Sequence, residues 1–167
     1  MESTTDRFWS SFQNNFSNLR IVIEEARKDL NSPEKKQKVF DSLNNTIHSL
    51  LDYWERVKKS SNISAETKKR MRAFAYANNK LKHEYDLISI QDRKGGFSFP
   101  IIFPLEIEEV RYEWSDLDYI PRKNSNQEND FQQYCRFLKQ KEIINSLEDI
   151  SSLIGTDLKS KLLIGNV

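Results

Sequence analysis

Apolar residues recur at alternating spacings of four and three along the first part of the chain, at Phe12, Phe16, Leu19, Ile23, Ala26 and Leu30. That period predicts a helix from about Asp6 to Leu30 with a single buried stripe. Asn31-Ser32-Pro33 then breaks the pattern. Ser32 is placed to cap the next helix and Pro33 to occupy its first turn, where a missing N–H costs nothing. The second helix repeats the stripe through Phe40, Leu43, Ile47, Leu50, Trp54 and Val57. After the turn Ser60-Ser61-Asn62, Ser64 caps a third helix with the stripe Met71, Phe74, Asn78, Leu81, Tyr85 and Ile88.

Helical periodicity stops at Asp92-Arg93-Lys94-Gly95-Gly96, where Gly95-Gly96 reads as a turn. Residues 97–114 are rich in β-branched and aromatic side chains and read as two strands, near Phe97–Phe103 and Glu106–Trp114, with Pro100 placing the first at an edge. Asp116 to Asn129 is a polar connection. A fourth helix is expected from about Asp130 to Ile154 through Phe131, Tyr134, Leu138, Ile143, Leu147, Ile150 and Ile154. Its stripe loses phase near Lys141, which predicts a twist, a bend or a change of partner. Gly155 reads as its stop, and Leu158 to Ile164 as a further helical turn. The expected fold class is all-α: an up-and-down four-helix bundle with a β-hairpin, about residues 97–114, inserted between helices 3 and 4 of a single domain, 1–167.

Composition narrows the chemistry. The chain has 167 residues, four glycines, four prolines and one cysteine, Cys135. A lone cysteine excludes an internal disulfide framework and fits a reducing cytosol, so a cytoplasmic protein is expected. Two distant histidines and one cysteine offer no zinc-ligand spacing, and no motif implies a cofactor. No apolar run approaches a membrane span, so no membrane partner is expected. Nor is there a leader-like run behind the polar start Met1-Glu2-Ser3-Thr4. Ser-His-Asp and Cys-His catalysis have no support.

Charge is concentrated. The formal net charge is +1, yet residues 64–83 hold six Lys/Arg (Lys68, Lys69, Arg70, Arg72, Lys80, Lys82) against Glu66. One of the two histidines, His83, sits in this run, and a histidine among positive charges suits proton transfer beside a phosphate. With Phe74 at zero on a helical wheel, Arg72, Tyr76, Asn79 and His83 fall at roughly 160°, 200°, 140° and 180°. They are expected on the face opposite the core. These residue types suit hydrogen bonding, stacking and phosphate contact, but a solvated basic face is the plain alternative. Asn78 falls in the apolar stripe, where backbone or a side chain such as His48 is expected to satisfy it. His48 itself reads as a packed histidine. Residues 104–118 hold six acids against Arg111; they read as a solvated strand face, or as a cover for the basic helix.

Asn79-Lys80-Leu81-Lys82-His83 resembles the Asn-to-His part of the motif of the higher-eukaryote and prokaryote nucleotide-binding (HEPN) superfamily. The resemblance covers about residues 5–90 and the fourth helix. It implies a helical bundle, commonly dimeric, of bacterial or phage-associated defence or toxin–antitoxin type, with metal-independent RNA cleavage. In that reading His83 transfers the proton, Asn79 orients, and the position of the family arginine is taken by Asn78, which carries no charge. Arg72 is the candidate substitute cation, reaching His83 of a second copy across a two-fold axis near Ala77/Asn78. Lys80, Lys82 and Tyr76 would contact RNA. The resemblance thus implies RNA and a homodimer through helix 3 as partners, with no metal. The alternative is a catalytically inactive bundle that serves as a protein-interaction or regulatory module.

Overall fold

A computed structural model describes residues 4–60, 62–81, 87–97, 105–117 and 125–164. They form α1 (Thr4–Arg27), α2 (Pro33–Val57), α3 (Ala65–Leu81), β1 (Ile88–Phe97), β2 (Leu105–Trp114), α4 (Ser125–Phe137) and α5 (Ile143–Ile164). These residues are mostly helical, with one two-stranded antiparallel hairpin among them. Among the described residues no helix is long and apolar enough to cross a membrane.

The first two helices follow the sequence pattern closely. Phe12, Phe16, Leu19, Ile23 and Ala26 are all buried along α1. Ser32 caps α2 as expected, its hydroxyl accepting from the Lys35 N–H at 3.3 Å, with Pro33 in the first turn. The buried stripe of α2 is rotated from the expected one: Phe40 and Trp54 sit at its edge, while Val39 and Tyr53 are buried. The rotation comes from small polar residues that let α1 approach. Asn18 Nδ2 donates to Ser42 Oγ at 3.1 Å, and the Thr46 hydroxyl lies 3.1 Å from the Asn15 carbonyl oxygen. These contacts make α1 and α2 antiparallel. Side-chain bonds from Gln13 to Ser151, Arg20 to Glu148 and Arg27 to Glu142 run α5 antiparallel to α1.

The expected third helix is shorter than its stripe. It ends by Leu81 in the described residues, and Ile88, expected as its last apolar position, begins β1. The hairpin therefore starts nine residues before the expected Phe97. Gly95 and Gly96 lie within β1, opposite Ile107 and Glu106, and are not its turn. Alternating Ile88, Ile90 and the facing Val110, Tyr112 and Trp114 supply the period of two that a half-buried strand needs. The second strand begins within a residue of its expected place. Pro100 lies outside the described residues.

The single fourth helix resolves into two, α4 and α5, and the loss of phase near Lys141 marks the break between them. Gln140 adopts a left-handed backbone (φ 57°). The turn it makes pairs with the end of β2: the Gln140 N–H donates to the Trp114 carbonyl at 2.9 Å, and the Trp114 N–H to the Lys141 carbonyl at 3.0 Å. An uninterrupted helix could not offer those groups, because its own ladder would use them. Gly155, expected as a stop, lies inside α5, which continues to Ile164. Burial of Ile150 and Ile154 on the preceding turns carries the helix through the glycine.

Candidate functional site: the outer strip of α3

The N-terminus of α3 is firmly held. Ser64 Oγ accepts from the Thr67 N–H at 3.1 Å, and Asp157 of α5 accepts from the Ser64 N–H at 3.0 Å and the Thr67 hydroxyl at 2.7 Å. A carboxylate here also favours the positive end of the helix dipole. Further along, Met71, Phe74, Ala77 and Leu81 enter the core, and Phe74 meets Trp114 edge-on with ring centroids 5.9 Å apart.

A second neighbour flanks the helix. α4 runs antiparallel beside α3, as the pairs Tyr76–Phe131, Tyr76–Tyr134 and Arg70–Phe137 require. Tyr76 is consequently only 8% exposed, packed at 5.5 and 5.4 Å from the Phe131 and Tyr134 rings. Its expected place on an open face is corrected: the wheel assumed one core direction, whereas α3 is covered on two. Beneath it Tyr134 donates to the Ser115 carbonyl at 2.7 Å, and burial pushes its phenol far above the usual range.

What stays open is a narrow strip. Lys68, Arg72 and Asn79 are exposed and Ala75 is half-exposed, at about 120°, 160°, 140° and 100° on the wheel. Lys69 is exposed too, but at about 220° it lies beyond Tyr76, on the side of Lys80. Lys68 was part of the basic run but was not singled out from the sequence; its position four residues before Arg72 is the signal that places it on the strip. Arg72 and Asn79 share the strip but are seven residues apart, about 10 Å along the axis. Lys80 lies half-buried on the α4 side, its ammonium 5.9 Å from the Tyr76 ring centroid. His83 and Lys82 lie outside the described residues, so their relation to Arg72 and Asn79 rests on sequence spacing alone.

The charges of α3 divide by flank. Arg70 is neutralised by Glu66 at 3.2 Å and Asp149 at 3.4 Å. Lys68, Lys69 and Arg72 have no ion pair among the described residues. Asp130 of α4 interacts electrostatically with Arg72: burial pushes its carboxyl up and Arg72 pulls it back.

Asn78, at the position of the family arginine, is 7% exposed, and its Oδ1 has no hydrogen-bond partner among the described residues. Neither backbone nor a side chain such as His48 satisfies that oxygen among the described residues, and His48 is half-buried on α2. A side chain at position 78 points into the core and away from the strip. Cys135 is half-buried and its thiol is pushed up by burial, which disfavours the reactive thiolate. Among the described residues no cluster of His, Cys, Asp or Glu is placed to hold a metal ion. No family model, no curated protein and no solved structure matches this chain.

Proposed function

We propose that this protein is an RNA-binding helical module of HEPN-like type, built as an up-and-down arrangement of α1, α2, α3 and α5 with the hairpin and α4 inserted. The observation that carries the reading is the outer strip of α3, where Lys68 and Arg72 are exposed without ion-pair partners among the described residues while Arg70, on the packed side, has two. Unneutralised cations aligned along one helix attract a phosphate backbone and lose counterions from it on contact. Asn79 adds an amide that both donates and accepts.

Metal-independent cleavage within a defence or toxin–antitoxin type system is the fuller version of this reading. It needs His83 for proton transfer and a cation for the transition-state charge. Within one chain Asn78 offers no cation and faces the core. Cleavage therefore requires a homodimer in which Arg72 of one copy meets His83 of the other. With Tyr76 covered by α4, such a dimer would close over the Arg72–Asn79 strip. Open-strip binding by a monomer and composite-site cleavage by a dimer are thus exclusive uses of one surface.

The burial of Asn78 favours the monomeric, non-cleaving use. It also keeps a second reading in play, in which the bundle is an inactive protein-interaction or regulatory module. The deciding experiment incubates the purified protein with total tRNA, with and without EDTA, beside His83→Ala, with the oligomeric state read by light scattering. Retained RNA without cleavage is the expected result. Cleavage that survives EDTA and disappears in His83→Ala would establish the dimeric nuclease. Neither binding nor cleavage at high protein concentration would leave the interaction module.

A further inference from the structure

The strip differs from a single-strand binding surface in a specific way. Proteins that hold single-stranded RNA combine a basic groove with exposed aromatic rings on which unpaired bases stack. The aromatic residue of α3 nearest the strip, Tyr76, is buried under Phe131 and Tyr134, and Phe74 is buried against Trp114. Between Lys68 and Asn79 the exposed and half-exposed positions of the strip hold two cations, a small Ala75 and an amide, with no ring. Between Lys68 and Asn79 the strip can neutralise phosphates and presents bases with no aromatic ring to stack upon.

Its shape fits a regular backbone. Lys68, Arg72 and Asn79 extend about 16 Å along a straight helix, and Ala75 between them carries nothing beyond Cβ, so a polynucleotide backbone can approach closely. Helix α3 is also rigid where it matters, clamped by Asp157 at its start and packed on two sides. A rigid row of donors matches an array of phosphates already fixed by base pairing, whereas a flexible single strand would have to be ordered without stacking to offset the loss. We propose that the α3 strip docks on the phosphate backbone of double-helical RNA, without reading its bases. Phosphates and 2′-hydroxyls are the groups a protein meets on the shallow side of such a helix, and Asn79 is suited to a hydroxyl that both donates and accepts. Asp130, which interacts electrostatically with Arg72, weakens the contact.

This inference rests on the RNA-binding reading, and one experiment separates the two. Fluorescence anisotropy compares an RNA hairpin duplex with an oligouridine of equal length, across a salt series. The duplex is expected to bind at least about tenfold tighter, irrespective of its sequence. The slope of log affinity against log salt should be about −2, set by Lys68 and Arg72. The double variant Lys68→Ala/Arg72→Ala should flatten that slope by about two while its melting temperature stays unchanged, since both side chains are exposed. Asp130→Asn should tighten duplex binding. Oligouridine bound as tightly as the duplex would overturn the duplex inference and leave RNA binding standing. Failure to bind either RNA would overturn both, and so would sedimentation with anionic lipid vesicles in place of duplex.

Discussion

The two flanks of α3 are built from the same kinds of residues and treat them in opposite ways. On the α4 side, Arg70 is paired twice and stacked near Phe137, Lys80 lies over the Tyr76 ring, and Tyr76 itself is buried. On the outer side Lys68, Arg72 and Asn79 remain in water. Two basic residues only two positions apart, Arg70 and Arg72, therefore do different work. The first contributes to packing through its stem, its ring contact and its carboxylates. The second contributes almost nothing to the fold and is free to act on a ligand. Charge density along a sequence does not separate these roles; the position of a neighbouring helix does.

This contrast can be broken at the packed flank first. Tyr76→Ala should remove the centre of the Phe131–Tyr134 cluster and cost about 3–5 kcal/mol, lowering the melting temperature steeply. RNA affinity measured where the variant is still folded should not change; a selective loss of binding would return Tyr76 to the functional surface. Tyr134→Phe should cost about 1–2 kcal/mol by urea denaturation, because it strands the Ser115 carbonyl that the phenol now satisfies. Tyr112→Phe is the control, since the Tyr112 hydroxyl is buried without a hydrogen-bond partner among the described residues; it should be neutral or slightly stabilising.

Asn78 sharpens the comparison from within the core stripe. Asn78→Leu should be neutral or stabilise by up to about 1 kcal/mol, since it removes an amide oxygen without a partner. A large loss of RNA cleavage without loss of stability would show that Asn78 acts in chemistry after all. On the outer strip, Arg72→Ala should change stability by less than about 0.5 kcal/mol, with its effect confined to RNA binding.

The smallest effect is expected at Asp130. Burial raises its carboxyl pKa in the folded state. Such a group favours folding in its protonated form: the contribution is complete below the unfolded value and is lost as pH rises through the folded one. Asp130→Asn should therefore be slightly more stable than the wild type at neutral pH. The difference should vanish below about pH 4, a pattern that melting curves across pH would reveal.

Much of this architecture was legible in the chain before any contact was known. The four-and-three spacing from Phe12 to Ala26 set α1, and Ser32-Pro33 set the start of α2, because these signals act within a few residues. The phase slip near Lys141 was legible too, although its meaning was not. Whether a helix bends or breaks there depends on β2 arriving to accept and donate hydrogen bonds at Gln140 and Lys141. The hairpin start was misplaced for a related reason. Ile88 fits a helical stripe and a strand equally well, and its pairing opposite Trp114 decides between them.

The candidate site divides along the same line. The sequence by itself determined that the basic residues lie on α3, that Asn78 belongs to the apolar stripe, and that Arg72 and Asn79 share a face, since all three follow from 100° per residue. Only the tertiary structure decided that Tyr76 is covered, that Arg70 is neutralised and that the face shared by Lys68 and Arg72 stays open. Helical periodicity fixes directions around one axis. Which of those directions meets water depends on how many other helices pack against it, and α4 reaches α3 from more than forty residues further along the chain.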